Sequence, residues 1–230
     1  MTTNTTPEQT HCRRCGTCCR KGGPALHRCD LPLVMENRIP RTALVTYRSG
    51  EPVYDNVAGK SDRLCTDLVK IRGKRDHREC VLFDEKSNLC SLYLDRPVEC
   101  RVLQCWSPEA ITRMYDKQRL QRKDIVAPKS AMGELIMIHE QECSWSRADE
   151  LVRNILVHQD QEAMDRLGAM VDYDRFLRKR LSNDSGIEPM MLEFYFGRPM
   201  EFVLPGLGLR VVPGKRKIVF RPEQALTAMR

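Results

Sequence analysis

The chain has 230 residues, 38 Lys and Arg against 31 Asp and Glu, a formal net charge of +7 and 11 cysteines. That is room for one domain, or one domain with a small second one. Its longest apolar runs, such as the stretch GELIMIH from Gly133 to His139, fall far short of the roughly 18 residues that a membrane-spanning helix needs. The positive charges are spread out, with no like-charge tail to mark a nucleic-acid or lipid binder.

Residues 1–11 are polar, without the basic and apolar regions of a signal peptide, and are expected to be a disordered tail. The expected location is the cytoplasm. Disulfides do not persist there, so clustered cysteines read as metal ligands or redox groups. Ten of the eleven lie between Cys12 and Cys105; Cys143 stands apart.

Within this cysteine module, Asp30 and Pro32 predict a short helix over CDLPLVMEN. Two short strands are expected around Gly59. The run CVLFDEKSNLCSLY predicts a β-hairpin, with Cys80 at its start and Cys90 in its return strand. A helix capped by Asp95, with Pro97 in its first turn, would then carry Cys100, and Cys105 would follow more than a turn later.

Helical sequence follows: SPEAITRMYDKQRL, then SAMGELIMIHEQE, then one long helix or two from Ser146 to Leu181, with Leu151, Ile155, Leu156 and Met164 at helical spacing. The chain breaks and restarts near Gly186 and ends in a β-hairpin around PGK (213–215). The fold class expected is α+β: a metal-stabilised cysteine module (12–106) with short strands and loops, packed against a helical region (107–185), with a short helix and hairpin extension (186–230).

Two ligand patterns overlap in CRRCGTCCR. Cys12, Cys15 and Gly16 form the C-x2-C-G knuckle of zinc ribbons, in which glycine lets the chain turn back on the thiolates. Cys12, Cys15 and Cys18 form the C-x2-C-x2-C start of a ferredoxin-type iron–sulfur run. That run wants a fourth cysteine three residues on, followed by proline; here Cys19 comes at once and Pro24 is remote. With Cys80, Cys90, Cys100 and Cys105, the set reaches eight thiolates. Eight would fill two tetrahedral zinc sites, or one four-iron (4Fe–4S) cluster with ligands to spare, and spacing leaves the choice open. Arg13, Arg14, Arg20 and Lys21 surround the first group, and Arg96 and Arg101 bracket Cys100. Such cations lower thiol pKa values and offset an anionic centre.

The segments CRRCGTCC (12–19), CVLFD (80–84) and CSLYLDRPVECR (90–101) resemble the bacterial YkgJ-like cysteine-cluster family, with Tyr93, Arg96, Pro97 and Arg101 in the pattern. The likeness covers residues 12 to about 106. By this resemblance Cys12, Cys15, Cys18, Cys19, Cys80, Cys90 and Cys100 fall on the family's cysteine positions, while Cys105 is less general. The resemblance implies zinc or iron chelation or an iron–sulfur protein, with relatives among flagellin lysine N-methylases. Cys29 and Cys65 lie outside the pattern and are expected to be buried, as free cysteines usually are; Cys143, near Trp145, is expected in the core.

His27 and His77 are candidate ligands or supporting donors; His139 and His158 fall in helices, on the surface or as satisfied core groups. A lone G-x-G in LPGLGLRVVPG, with no helix behind it, reads as a turn rather than a nucleotide pocket. The basic runs RKRL and GKRK lack interleaved aromatics, so nucleic acid is not an expected partner. The expected function is a cytoplasmic metal protein with an iron–sulfur cluster, for electron transfer or in support of a modification reaction. Its partner would be a redox protein or a protein substrate. The alternatives are a structural zinc module for protein interaction and a lysine N-methylase-like enzyme.

Overall fold

A computed structural model describes residues 9–74, 78–212 and the backbone of 219–222. His77 and the PGK turn lie outside the described residues. Helix α1 (Thr17–Arg20) is a single turn entered through Gly16 at φ 74°. A 3-10 turn (Arg28–Asp30) runs into α2 (Leu31–Met35), with proline in its first turn. Asp30 occupies the N-cap position, but its carboxylate does not cap α2. Its Oδ2 accepts from His27 N (3.0 Å) and its Oδ1 from Val98 N (2.9 Å).

Strands β1 (Leu44–Tyr47), β2 (Pro52–Asp55), β3 (Lys60–Arg63) and β4 (Leu68–Ile71) follow. The two short strands expected around Gly59 are β2 and β3, which pair as a hairpin; Asp55 Oδ1 closes its turn by accepting from Val57 N and Ala58 N. Strand β1 pairs antiparallel with β4, Leu44 opposite Ile71. The cysteine hairpin is β5 (Phe83–Asp84) and β6 (Leu89–Cys90), with Phe83 opposite Cys90. Next comes α3 (Val98–Val102), whose N-cap is Pro97 rather than Asp95. Asp95 instead pairs with Arg38 (2.8 Å). The first amide of α3 is satisfied by Asp30, a carboxylate 68 residues earlier in the chain.

The helical stretch expected after Ser107 shrinks to α4 (Glu109–Thr112). Then come α5 (Arg122–Ile125), α6 (Ala131–Glu142), capped by Ser130 on Gly133 N, and α7 (Trp145–His158). Gln159 at φ 52° ends α7, and Asp160 caps α8 (Gln161–Ser185) through the amides of Glu162 and Ala163. The long periodic run is therefore two helices. Gly186 ends α8, and α9 (Pro189–Phe196), α10 (Met200–Val203), β7 (Leu209–Val212) and β8 (Val219–Pro222) complete the chain. The G-x-G stretch forms a 3-10 turn (Leu204–Leu207) leading into β7. The fold is α+β with a helical C-terminal half. None of the described helices is long and apolar enough to cross a membrane.

One buried cluster gathers Leu26, Leu33, Ile39, Leu44, Val69, Ile71, Cys80 and Phe83 with Leu120, Ile125 and Phe194. Phe194 comes from α9, and its carbonyl accepts from Thr46 Oγ1 of β1 at 2.6 Å. A second cluster joins α7, α8 and α10 around Trp145, Leu151, Leu167 and Met200.

Between these clusters lies a buried ionic network. Arg48, fully buried, donates through Nη1 to Glu140 (3.3 Å) and to the Cys143 carbonyl (3.1 Å), and lies over Trp145. Arg122 reaches both Asp67 (2.8 Å) and Glu140 (2.7 Å). Burial alone would raise the Glu140 pKa, but Arg48 and Arg122 outweigh it and hold the carboxyl below its usual range. Asp174 accepts from His139 Nε2 (2.8 Å), Arg178 Nε (2.9 Å) and Met200 N (3.0 Å). Burial opposes its ionisation, yet these donors bring its pKa down to about 2. Burial lowers the pKa of His139 despite Asp174, so its ring is neutral. Its Nδ1 accepts from Arg48 (3.4 Å) while Nε2 carries the proton to Asp174.

Removing one partner from such a buried set leaves an uncompensated charge, at a cost of about 3–5 kcal/mol. Asp174→Asn should therefore lower unfolding free energy by that order in a urea titration. The depressed pKa makes the Asp174 contribution complete above the ordinary value of 3.8 and lost as pH falls toward about 2. The native protein should lose stability through that acid window, and Asp174→Asn should show less of the loss.

Candidate metal centre

Two close approaches place the first cysteine loop. An ideal Cβ on Gly23 would stand 2.2 Å from the Ile71 carbonyl oxygen, so only glycine lets this segment lie against β4. Beyond it, Ile71 N donates to Pro24 O and Leu26 N to Val69 O (both 2.9 Å). Gly16, at positive φ, meets the hairpin as closely: a Cβ there would stand 2.6 Å from Phe83 Cζ and 2.7 Å from Asn88 Oδ1. Between these anchors, Cys80 N donates to Cys19 O at 2.8 Å, joining the two cysteine segments through their backbones.

The result is a cleft of about 130 Å³ lined by Cys18 and Cys19 from α1, Cys80 before β5, Cys90 from β6 and Cys100 from α3. Its remaining wall is mainly apolar, with Ile71, Leu82, Leu92, Leu103 and Ile111, together with Arg96 and Glu99. Burial pushes the Cys19 thiol up to about 12, helped by Cys18, Cys90 and Cys80. Burial likewise pushes Cys80 up to about 11 and Cys100 higher still, with neighbouring thiols adding to both. Cys19, Cys80 and Cys100 therefore hold their protons at neutral pH until a cation replaces them, and metal binding there must release protons.

Three of the eight cysteines singled out from the sequence do not line the cleft. Cys12, Cys15 and Cys105 are exposed. Cys15 Sγ lies 3.2 Å from Thr17 Oγ1, and hydrogen bonds from the Thr17 hydroxyl and backbone to the thiolate lower its pKa. Cys105 lies beside the start of the loop, where Gln9 Nε2 reaches both its sulfur (3.9 Å) and the His11 carbonyl (3.2 Å). Cys29 and Cys65, expected to be buried, are exposed, Cys29 on the outer side of the 3-10 turn and Cys65 in the bend between β3 and β4; Cys143 is buried as expected.

Glu99 lines the cleft but is already engaged. Its Oε2 accepts from Ala25 N (2.8 Å), and Oε1 faces His27 Nε2 (3.2 Å). The other ring nitrogen of His27 donates to Lys117 O (2.7 Å). Burial disfavours a charged imidazole, but Glu99 and the Lys117 carbonyl outweigh it and raise the pKa. His27 is thus a support behind Glu99, not a group in the cleft. His158 is exposed.

The basic residues divide. Arg101 donates to the Arg96 carbonyl (2.6 Å), and Arg20 to Cys15 O and Asn88 Oδ1 (both 3.0 Å). Arg14 and Arg96 both lie over the Tyr93 ring, at 4.1 and 3.8 Å from its centroid, and so must occupy opposite faces. The sequence carries no local sign of this stack or of the His27–Glu99 pair, because each joins residues from different segments.

A second trio, His139, Cys143 and Asp174, has ligand atoms within 4.8 Å of one another. Each is already committed: Cys143 Sγ donates to Met170 O (3.4 Å), His139 bonds Asp174, and Asp174 takes Arg178. Two buried guanidiniums, Arg48 and Arg178, flank the trio and oppose a cation there.

A cleft lined by five thiols and no free carboxylate or imidazole selects soft, thiophilic metals over magnesium, calcium or manganese. The donor set fits zinc or iron. Residues 11–119 match the model of the CxxCxxCC family, described as "Putative zinc- or iron-chelating domain". The match covers 109 of the 230 residues and supports metal chelation by the cysteine-rich part of the chain. Neither a curated protein nor a solved structure matches the chain.

If the glycine approaches build the site, Gly23→Ala should lower bound metal per protein with every thiol intact. It should also cost about 1–3 kcal/mol of stability, as overpacking does. Gly206→Ala, with nothing within 4 Å of its added Cβ, should leave both unchanged. Metal analysis beside a thermal melt checks this.

Proposed function

We propose that the cleft thiols Cys18, Cys19, Cys80, Cys90 and Cys100 hold an iron–sulfur cluster, and that this cytoplasmic protein uses it for electron transfer or in support of a modification reaction. Cys12, Cys15 and Cys105 supply an outer set of ligands at the solvent side. The observation that carries the reading is the convergence of five thiols from separate segments on one cleft. A tetrahedral zinc site needs four.

Iron and bridging sulfides, when bound, would supply one-electron chemistry. The protein's own part is to hold the thiols, exclude water with the apolar wall, and place Arg96 beside the anionic centre.

Protein purified without oxygen should contain iron and acid-labile sulfide and show broad visible absorption that bleaches on reduction. Cys19→Ser and Cys100→Ser should each lose most of the metal, and Cys15→Ser part of it. Cys29→Ser, Cys65→Ser and Cys143→Ser should retain it. Stoichiometric zinc in a colourless protein without sulfide would replace this reading with a structural zinc module.

A further inference from the structure

The same face that opens on the cleft carries a group of cations without acidic partners. Arginines elsewhere, such as Arg48, Arg122, Arg175 and Arg178, each meet a carboxylate. Among the described residues no carboxylate pairs with Arg13, Arg14, Arg20, Lys21 or Arg96. Residues 11–22 contain four of these cations and no Asp or Glu. Arg96 also has a buried Nε without a hydrogen-bond partner.

These charges are held in place. Tyr93 is stacked between Arg14 and Arg96, and Arg20 lies over Phe83 at 5.0 Å while bonding Asn88. Asn88 in turn donates to the Arg14 carbonyl at 2.9 Å, so the loop and the hairpin tip form one surface. Two apolar side chains stand out beside the stack: Leu94, 92% exposed, and Leu89, 54% exposed. Fixed Arg and Tyr side chains are the composition of a protein-binding hot spot, with little side-chain entropy left to lose, and the projecting leucines add apolar surface beside them.

We propose that this face, centred on Arg14, Tyr93, Leu94 and Arg96, docks an acidic protein segment that also presents an apolar residue to Leu94. The partner's role as an electron donor or acceptor rests on the iron–sulfur reading; the docking does not. The chemistry favours protein over nucleic acid. The Arg14 and Arg96 guanidiniums are held over the Tyr93 ring, and Asp84, Glu85 and Asp95 interrupt the surface, where a continuous polyanion would be repelled.

The test uses the full chain as purified and two fluorescent probes of matched length, a Glu–Leu peptide and single-stranded DNA. Fluorescence anisotropy should show the peptide binding, more weakly as salt is raised. Arg14→Glu and Leu94→Asp should each weaken it at least about tenfold, as loss of a hot-spot residue does. Leu94 is 92% exposed, so metal content and melting temperature of Leu94→Asp should match the native protein and serve as the check on folding. Peptide binding unchanged in both variants would overturn the proposal. So would DNA binding more tightly than the peptide with an affinity that Leu94→Asp leaves unchanged, which would make the face a nucleic-acid surface. If the protein proves to hold zinc and the peptide still binds in this pattern, the redox reading fails and the docking face stands.

Discussion

The metal cleft depends on one close approach of backbone to backbone, where Gly23 lies against the Ile71 carbonyl with no room for a Cβ. That contact lets residues 24–26 run beside β4 and delivers Cys19 to the amide of Cys80. The thiols themselves would not hold this arrangement. Without metal, Cys19 and Cys100 resist ionisation, and thiols offer only weak hydrogen bonds. The cage is therefore shaped by glycine packing, a backbone hydrogen bond and the Asp30 carboxylate, which fixes the start of the helix that presents Cys100.

The module also leans on the rest of the chain. Phe194 of α9 fills the same apolar cluster as β1 and β4, and burying such a side chain is worth about 1.5–3 kcal/mol. The ionic network around Arg48, Arg122 and Glu140 lies close by and ties α6 to the loops beside β1 and β4. Its net energy is small, because desolvation consumes most of the Coulomb gain. Its contribution is specificity: a shifted α6 would leave Arg48 and Glu140 buried and unpaired. The helices thus fix the far wall of a domain whose chemistry lies at the opposite end.

Local signals in the sequence led to local structure. The turn DEKSN, the two strands around Gly59 and the helical period through Leu151 and Ile155 all act within a few residues. Where the sequence misled, a distant partner had taken over a local role. Asp30 and Asp95 both look like caps, yet one serves a helix 68 residues away and the other pairs with Arg38. The β1–β4 pairing was not legible, since its partners lie across an inserted hairpin and register follows from burial. Cys29 and Cys65 looked like core residues on composition alone, and composition does not say which turn faces water. Among the eight expected ligands, the division into five that share the cleft and three outside it depends on loop geometry that spacing does not encode.

The order in which the site is built has a consequence for biosynthesis. Cys12, Cys15, Cys18 and Cys19 leave the ribosome first, and Cys100 follows about 80 residues later. At ordinary translation speeds this is a gap of roughly 4 to 16 s. During that interval the nascent chain displays four thiols with neither the hairpin nor α3 to cover them. A half-cage takes whichever thiophilic cation binds most avidly, and by that measure zinc and copper outrank ferrous iron. If these cysteines hold the metal as proposed, the metal in the finished protein would be set partly by a race between capture and closure, and two cells with identical chains and different free-metal pools would fill the same cleft differently.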